Sequence, residues 1–207
     1  MCDLKKIGLF CGCFNPVHNG HIAAAEAFKS YAGLDRLYLI PANASYSKYG
    51  RFIESGSHRV KMCELAVSGH AGLAVSDFEI RCPKACYTLD TVLYFKKQFA
   101  AAEFYLCMGE DTAETVTRWA CFPELKEQVR FLVIDRNGRG GGVDALTQSG
   151  ANTAFVAHDP DGISSTDIRR KLGAGESAAG LDDKVFRYIR ENALYGTPVK
   201  NERRSSL

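Results

Sequence analysis

The sequence predicts an α/β fold: a doubly wound parallel sheet with helices on both faces and a helical segment at the carboxyl end. Three observations carry this. Six short apolar runs recur along the chain, helix-period stretches separate them, and the carboxyl-terminal part switches to helical patterning alone. With 207 residues, 46% of them hydrophobic and 24% charged, the chain can bury a sizeable core, and disorder is not expected.

The strand candidates are "IGLF" (7–10), "RLYLIP" (36–41), "GLAVSD" (72–77), "EFYLCM" (103–108), "RFLVID" (130–135) and "TAFVAH" (153–158). They are apolar on both faces, as strands of a covered parallel sheet must be. Between them, Ala24, Ala27, Phe28 and Tyr31 follow helical spacing, as do Val60, Cys63 and Val67, and then Leu89, Val92 and Leu93. Strand, helix, strand in repetition implies right-handed crossovers, with a ligand site beyond the strands' carboxyl ends where the winding reverses. Residues 163–195 read as two helices joined by a Gly/Ala/Ser loop. Residues 1–195 are therefore expected to form one domain, with 160–195 as its helical segment and 196–207 as a frayed polar tail. "NGRGGGVD" (137–144) lacks the Lys-Ser/Thr ending of a phosphate loop and is expected to be a mobile connector.

A formal net charge of +2 gives no argument for a nucleic-acid surface, though local basic clusters can still bind a small anion. The first apolar run is short and Asn15-Pro16 stops it, which makes a poor signal peptide. No run approaches the ~20 apolar residues of a membrane span. The eight Cys are scattered, so reduced thiols in a cytoplasmic protein are expected, and Cys82-x-x-x-Cys86 has no second pair at ligand spacing. Self-association is left open.

"CGCFNPVHNGH" (11–21) carries the first chemical signal. A strand runs into Gly12, Pro16 bars its continuation, and Asn19-Gly20 opens a helix. Main-chain N–H groups at that helix start attract an anion, and Gly12 puts no side chain in its way. His18 and His21, three apart, share one side and can donate to phosphate oxygens. Two other readings stay open at this point. The pair can be a structural cap, or Cys11, Cys13, His18 and His21 can hold a metal, although the spacing matches no familiar zinc module.

"ISSTDIRRKL" (163–172) is the second signal. Ser164 and Asp167 fit a capping box. Ser164, Ser165 and Thr166 also bring three hydroxyls to a helix start, with Arg169 one turn in, which suits a polyphosphate.

Together, "GLFCGCFNPVHNGH" and "ISSTDIRRKL" resemble the nucleotidyltransferase superfamily with paired-His and Ser-Ser-Thr signatures, whose fold is Rossmann-like. "SDFEIRCPKACYTLDTV" (76–92), "MGEDTAETVTRWACFPEL" (108–125) and "YIRENALY" (188–195) extend the likeness, in order, to the nicotinate mononucleotide adenylyltransferases. That resemblance implies an enzyme of NAD biosynthesis that transfers AMP from ATP to nicotinate mononucleotide, yielding deamido-NAD and pyrophosphate. It implies ATP contacts at Gly12, Cys13, Phe14, His18, His21, Gly109, Asp111, Ser164, Ser165, Thr166 and Arg169, with His18, His21 and Arg169 catalytic. It implies acceptor contacts at Lys48, Tyr87, Thr88 and Trp119, with Trp119 stacked on the pyridine ring. Magnesium would ride on the phosphates, with no protein ligand.

The residues by themselves allow plainer roles. Asp111 can be a helix cap, Trp119 a core residue and Lys48 a solvated loop charge. The sequence also departs from the family. Cys11 stands for the usual Gly, Cys13 for Thr or Ser, Asn15 for a common Asp, and "ASYSKYG" (44–50) for a Pro-Pro-His-Lys stretch, so that Ser47 falls where its His would be. Nicotinamide mononucleotide and phosphopantetheine are the rival acceptors. A non-catalytic nucleotide-binding regulator and a thiol–metal sensor are the rival classes.

Overall fold

The computed structural model describes residues 5–43, 54–84, 86–135, 141–158 and 162–197. Six strands form one sheet: β1 (Lys6–Gly12), β2 (Arg36–Pro41), β3 (Leu73–Val75), β4 (Glu103–Gly109), β5 (Arg130–Asp135) and β6 (Thr153–Ala157). Their order is β3-β2-β1-β4-β5-β6, and every neighbouring pair is parallel. The winding therefore reverses between β1 and β4, and the crevice of such a sheet opens at their carboxyl ends.

The helices are α1 (Asn19–Ala32), α2 (Gly56–Val67), α3 (Phe78–Arg81), α4 (Thr88–Gln98), α5 (Glu110–Val116), α6 (Phe122–Leu125), α7 (Gly141–Gln148), α8 (Ser165–Gly173) and α9 (Asp183–Glu191). Strand side chains alternate between faces, so the sheet builds two cores. Phe10, Leu39, Cys107, Leu132 and Ile134 pack with Phe28 of α1, Met62 of α2, Ile168 of α8 and Ile189 of α9. Ile7, Leu9, Leu106, Phe131 and Val133 pack on the other side with Val92 of α4, Val116 of α5, Leu125 of α6 and Leu146 of α7. Two-sided burial explains why the strands read as continuous apolar runs.

Two local expectations are corrected. The glycine-rich 137–144 stretch is not simply a connector, because Gly141–Gln148 is helical. Leu146 is fully buried in the second core, and such docking outweighs the helix cost of glycine. Residues 137–140 lie outside those described. The first two residues of the expected frayed tail, 196 and 197, are ordered, and 198–207 lie outside the described residues. Leu194–Gly196 form a 3-10 turn, and buried Thr197 donates its hydroxyl to the Leu194 carbonyl at 2.9 Å. The one-turn helices α3 and α6 leave no periodic signal in the sequence, since four residues show no period.

The loop between α8 and α9 returns to the start of α1, where the Gly180 carbonyl accepts the Asn19 N–H at 2.8 Å. Gly180 has φ +94°, and a Cβ there would stand 2.9 Å from Ile163. Gly180→Ala is therefore expected to destabilise the fold by about 1–3 kcal/mol, measured by urea unfolding. An unchanged midpoint would show that the loop does not need this conformation.

Candidate active site

β1 delivers Gly12 to the carboxyl edge of the sheet, and β4 delivers Gly109 beside it. Past Gly12 the chain turns sharply through Phe14, at φ 46°, and a cis Asn15-Pro16 peptide. The Phe14 ring is 2% exposed and lies edge-on to Phe10 and His21, with centroids 5.5 and 5.1 Å away. A Cβ on Gly12 would stand 3.0 Å from that ring. Gly12 thus makes room for Phe14 itself. The Phe14 side chain belongs to the core, and what this residue can offer a ligand is its main chain.

His18 is the N-cap of α1, and His21 is the third residue of its first turn. The His21 Nδ1 accepts the His18 main-chain N–H at 3.2 Å, which leaves the proton of a neutral His21 ring on Nε2. The two rings lie with centroids 3.7 Å apart, and His18 is mostly buried. Gly20 leaves space for the His18 ring, since a Cβ there would be 3.1 Å from Nδ1.

The start of α8 meets this turn directly. The Arg169 Nη1 donates to the Asn15 carbonyl at 2.7 Å, across 154 residues of sequence. The Ser165 hydroxyl donates to the Pro16 carbonyl at 2.9 Å. Ser164 is the N-cap of α8: its hydroxyl accepts the Asp167 N–H at 3.1 Å and donates to the Asp167 carboxylate at 2.8 Å. Thr166 is exposed, and its hydroxyl accepts from Arg169 Nη2 at 3.2 Å. The Ser165 hydroxyl and the Arg169 guanidinium thus fasten the start of α8 to the turn before α1, and Ser164 fixes the first turn of α8 itself.

Asp111 is exposed and second in α5, whose N-cap is Gly109, so it is not the cap of that helix. Among the described residues nothing stands within 4 Å of where a Cβ on Gly109 would lie. Tyr87 caps α4 and is 47% exposed, with its N–H donating to the Asp90 carboxylate at 2.8 Å. Thr88 is the first residue of that helix. Trp119 is half-buried against the second core, neither wholly internal nor wholly free. Lys48 lies outside the described residues.

The cytidylyltransferase-like family model matches residues 9–171. A relative from Neisseria meningitidis named "Probable nicotinate-nucleotide adenylyltransferase" is 35% identical over 205 residues, covering 93% of this chain and 99% of its own. Another of that name, from Gloeobacter violaceus, is 33% identical over 202 residues, covering 94% and 98%. The chain belongs to the nicotinate-nucleotide adenylyltransferase family. The fold is also that of a Plasmodium falciparum nicotinic acid mononucleotide adenylyltransferase solved in complex with NaAD, with a TM-score of 0.76 at 15% identity, covering 95% of this chain and all of that one.

Within the adenylyltransferase family pattern, the departures have structural accounts. Asn15 uses its Oδ1 as an acceptor, for the Tyr195 hydroxyl at 2.8 Å and the Glu54 N–H at 3.2 Å, and the carboxylate of the common Asp offers the same. Burial, then the neighbouring Glu79, pushes the Cys11 thiol well up. Burial raises Cys13 too, with Arg59 and Arg169 partly offsetting it. Burial pushes Cys86 up to about 12.

Two buried charges escaped sequence analysis, Arg59 and Glu79. Arg59 stands in an amphipathic helix, where a charge reads as solvated, and Glu79 sits in a one-turn helix without pattern. Glu79 accepts the Thr91 hydroxyl at 2.8 Å and so ties α3 to the first turn of α4, behind Tyr87 and Thr88. Burial raises its pKa above the usual 4.5. Stability linked to the neutral carboxyl is full below about pH 4.5 and falls as pH rises through the folded-state value. Glu79→Gln keeps the acceptor for Thr91, so this variant should gain on the native protein as pH rises. Urea unfolding across pH tests this, and parallel stability curves would refute it.

Proposed function

We propose that this protein transfers the adenylyl group of ATP to nicotinate mononucleotide, forming deamido-NAD and pyrophosphate in NAD biosynthesis. The observation that carries the reading is the direct bonding of the two helix starts, Arg169 to the Asn15 carbonyl and Ser165 to the Pro16 carbonyl. It makes one anion cradle from two segments. Family membership supplies the reaction class.

An acceptor phosphate oxygen is already nucleophilic, so the reaction needs no Ser or Cys nucleophile. The acceptor attacks the α-phosphorus, and pyrophosphate leaves. The protein's share is then alignment and stabilisation of developing charge. In this reading His18 and His21 donate to oxygens of the α- and β-phosphates. Arg169 and the α8 N–H groups from Ser165 and Thr166 hold the β- and γ-phosphates, with Ser164 fixing that helix start. Main chain of Gly12, Cys13 and Phe14 lies along the nucleotide, and Gly109 and Asp111 face its ribose. Trp119 stacks on the pyridine ring. Main chain at Tyr87 and Thr88 receives the ring carboxylate, which favours the acid over the amide because a helix start attracts an anion. Lys48 is assigned a cationic contact from the family pattern alone.

The donor set fits a magnesium ion carried by phosphates and water. Among the described residues no three His, Cys, Asp or Glu side chains gather into a metal site, and Mg²⁺ is reluctant to shed its waters. Among them, too, no helix is long and apolar enough to cross a membrane. The partners proposed are these small molecules, with no nucleic acid, in the cytoplasm.

Pyrophosphate release with ATP, magnesium and each mononucleotide in turn tests the reading. Release that depends on nicotinate mononucleotide is expected, and dependence on the amide alone would shift the acceptor. His18→Ala should lower kcat by about 10²–10³-fold with little change in Tm. Near-normal turnover would defeat its role. Trp119→Ala should raise the acceptor KM through lost stacking, whereas a fall in Tm with unchanged KM would return Trp119 to the core.

A further inference from the structure

A closed ring of hydrogen bonds lies behind the Cys13–Asn15 turn. The Asn15 Oδ1 accepts the Tyr195 hydroxyl at 2.8 Å and the Glu54 main-chain N–H at 3.2 Å. The Glu54 carboxylate accepts the Tyr195 main-chain N–H at 3.0 Å, and the Glu54 carbonyl accepts Arg59 Nε at 3.1 Å. Arg59 Nη1 then reaches the Cys13 carbonyl at 2.9 Å and closes the ring on the turn. Asn15, Arg59 and Tyr195 are 4%, 0% and 7% exposed.

Three properties set this ring apart from ordinary packing. Tyr195 is held at φ 57° and Ala193, two residues before it, at φ 50°, a region non-glycine residues avoid, so the surrounding bonds must over-determine the turn. Arg59 spends its hydrogen bonds on carbonyls, and among the described residues its Nη2 has no hydrogen-bond partner, so among them no bonded carboxylate cancels the charge behind the turn. Asn15 has both ends engaged: its side chain belongs to the ring, and its carbonyl holds Arg169 at 2.7 Å. Any shift of the Asn15 side chain is thereby passed to the guanidinium at the mouth of the cradle.

We propose that Tyr195, Glu54 and Arg59 are positioning residues, a buried clamp that acts through Asn15 and the Cys13 carbonyl to hold the turn and Arg169 in the form that receives the triphosphate. This rests on the adenylyl-transfer reading and extends it to residues that do not themselves reach the ligand. The carboxyl-terminal turn at 194–196 is, on this view, part of the nucleotide site's support. Burial raises the Tyr195 phenol, with Glu54 adding to it, so its hydroxyl stays a donor throughout the working pH range.

Tyr195→Phe, Asn15→Ala, Asn15→Asp and the Tyr195→Phe/Asn15→Ala double variant test the clamp. Each is assayed well below its Tm for pyrophosphate release and titrated by calorimetry with a non-hydrolysable ATP analogue. Tyr195→Phe should lose about tenfold in kcat/KM for ATP and a similar factor in analogue affinity, with the mononucleotide KM unchanged. The double variant should be no worse than Asn15→Ala, because both remove one link. Asn15→Asp should recover most of what Asn15→Ala loses. A Tyr195→Phe protein with a lower Tm but full analogue affinity and turnover would overturn the proposal, as would additive losses in the double variant. If Tyr195→Phe fails to fold, equal analogue affinity in Asn15→Ala and Asn15→Asp overturns it, and the predicted recovery upholds it. Analogue binding without pyrophosphate release by the native protein would remove the adenylyl-transfer reading, while the affinities still decide the clamp.

Discussion

The site depends on one constraint: the turn after β1 and the first turn of α8 must be fastened to each other. The fastening is made by side chains of one segment to carbonyls of the other, Arg169 to Asn15 and Ser165 to Pro16. A helix start is a weak anion attractor in water, because its field falls off within a turn and salt screens it. In the proposed reading the two starts act together on one anion, and groups held in place beforehand need no reorganisation when charge develops. The parallel sheet supplies the edge, since its winding reverses between β1 and β4.

The same economy of groups explains why some residues have two employments. Ser164 and Ser165 look from their sequence like phosphate ligands, yet their hydroxyls are engaged within the protein, one on Asp167 and one on Pro16. In the proposed reading the N–H groups of Ser165 and Thr166 meet the anion, and Ser164 fixes the helix start that carries them. Phe14 behaves alike, with a ring in the core and only its main chain at the edge.

Behind it stand buried polar groups that an apolar core would not need. Arg59 beneath the Cys13–Asn15 turn and Glu79 beneath the start of α4 are each costly to bury, and each is tied by hydrogen bonds to an element bordering the candidate site. Such groups resist small displacements because an unmade bond in a low dielectric is expensive. Precision at the edge is thus maintained from below, by residues with no chemistry of their own in the reaction.

The local code determined much of this. Strand periodicity and two-sided apolar composition suffice to place β2, β4, β5 and β6 within one residue of their observed bounds, while β1 is read short and β3 long, because such patterns report burial and not strand ends. Ser164 as a cap and Asn19 as a helix start follow from side-chain chemistry within three residues. Tertiary structure alone decided the rest. Helix α7 forms over two glycines because Leu146 docks on the second core. Arg59, Glu79 and Tyr195 acquire their roles from partners far away in sequence, such as Asn15 from Tyr195 across 180 residues. A periodic pattern records which face of an element is buried, and it carries no record of which distant carbonyl or amide a buried charge will meet.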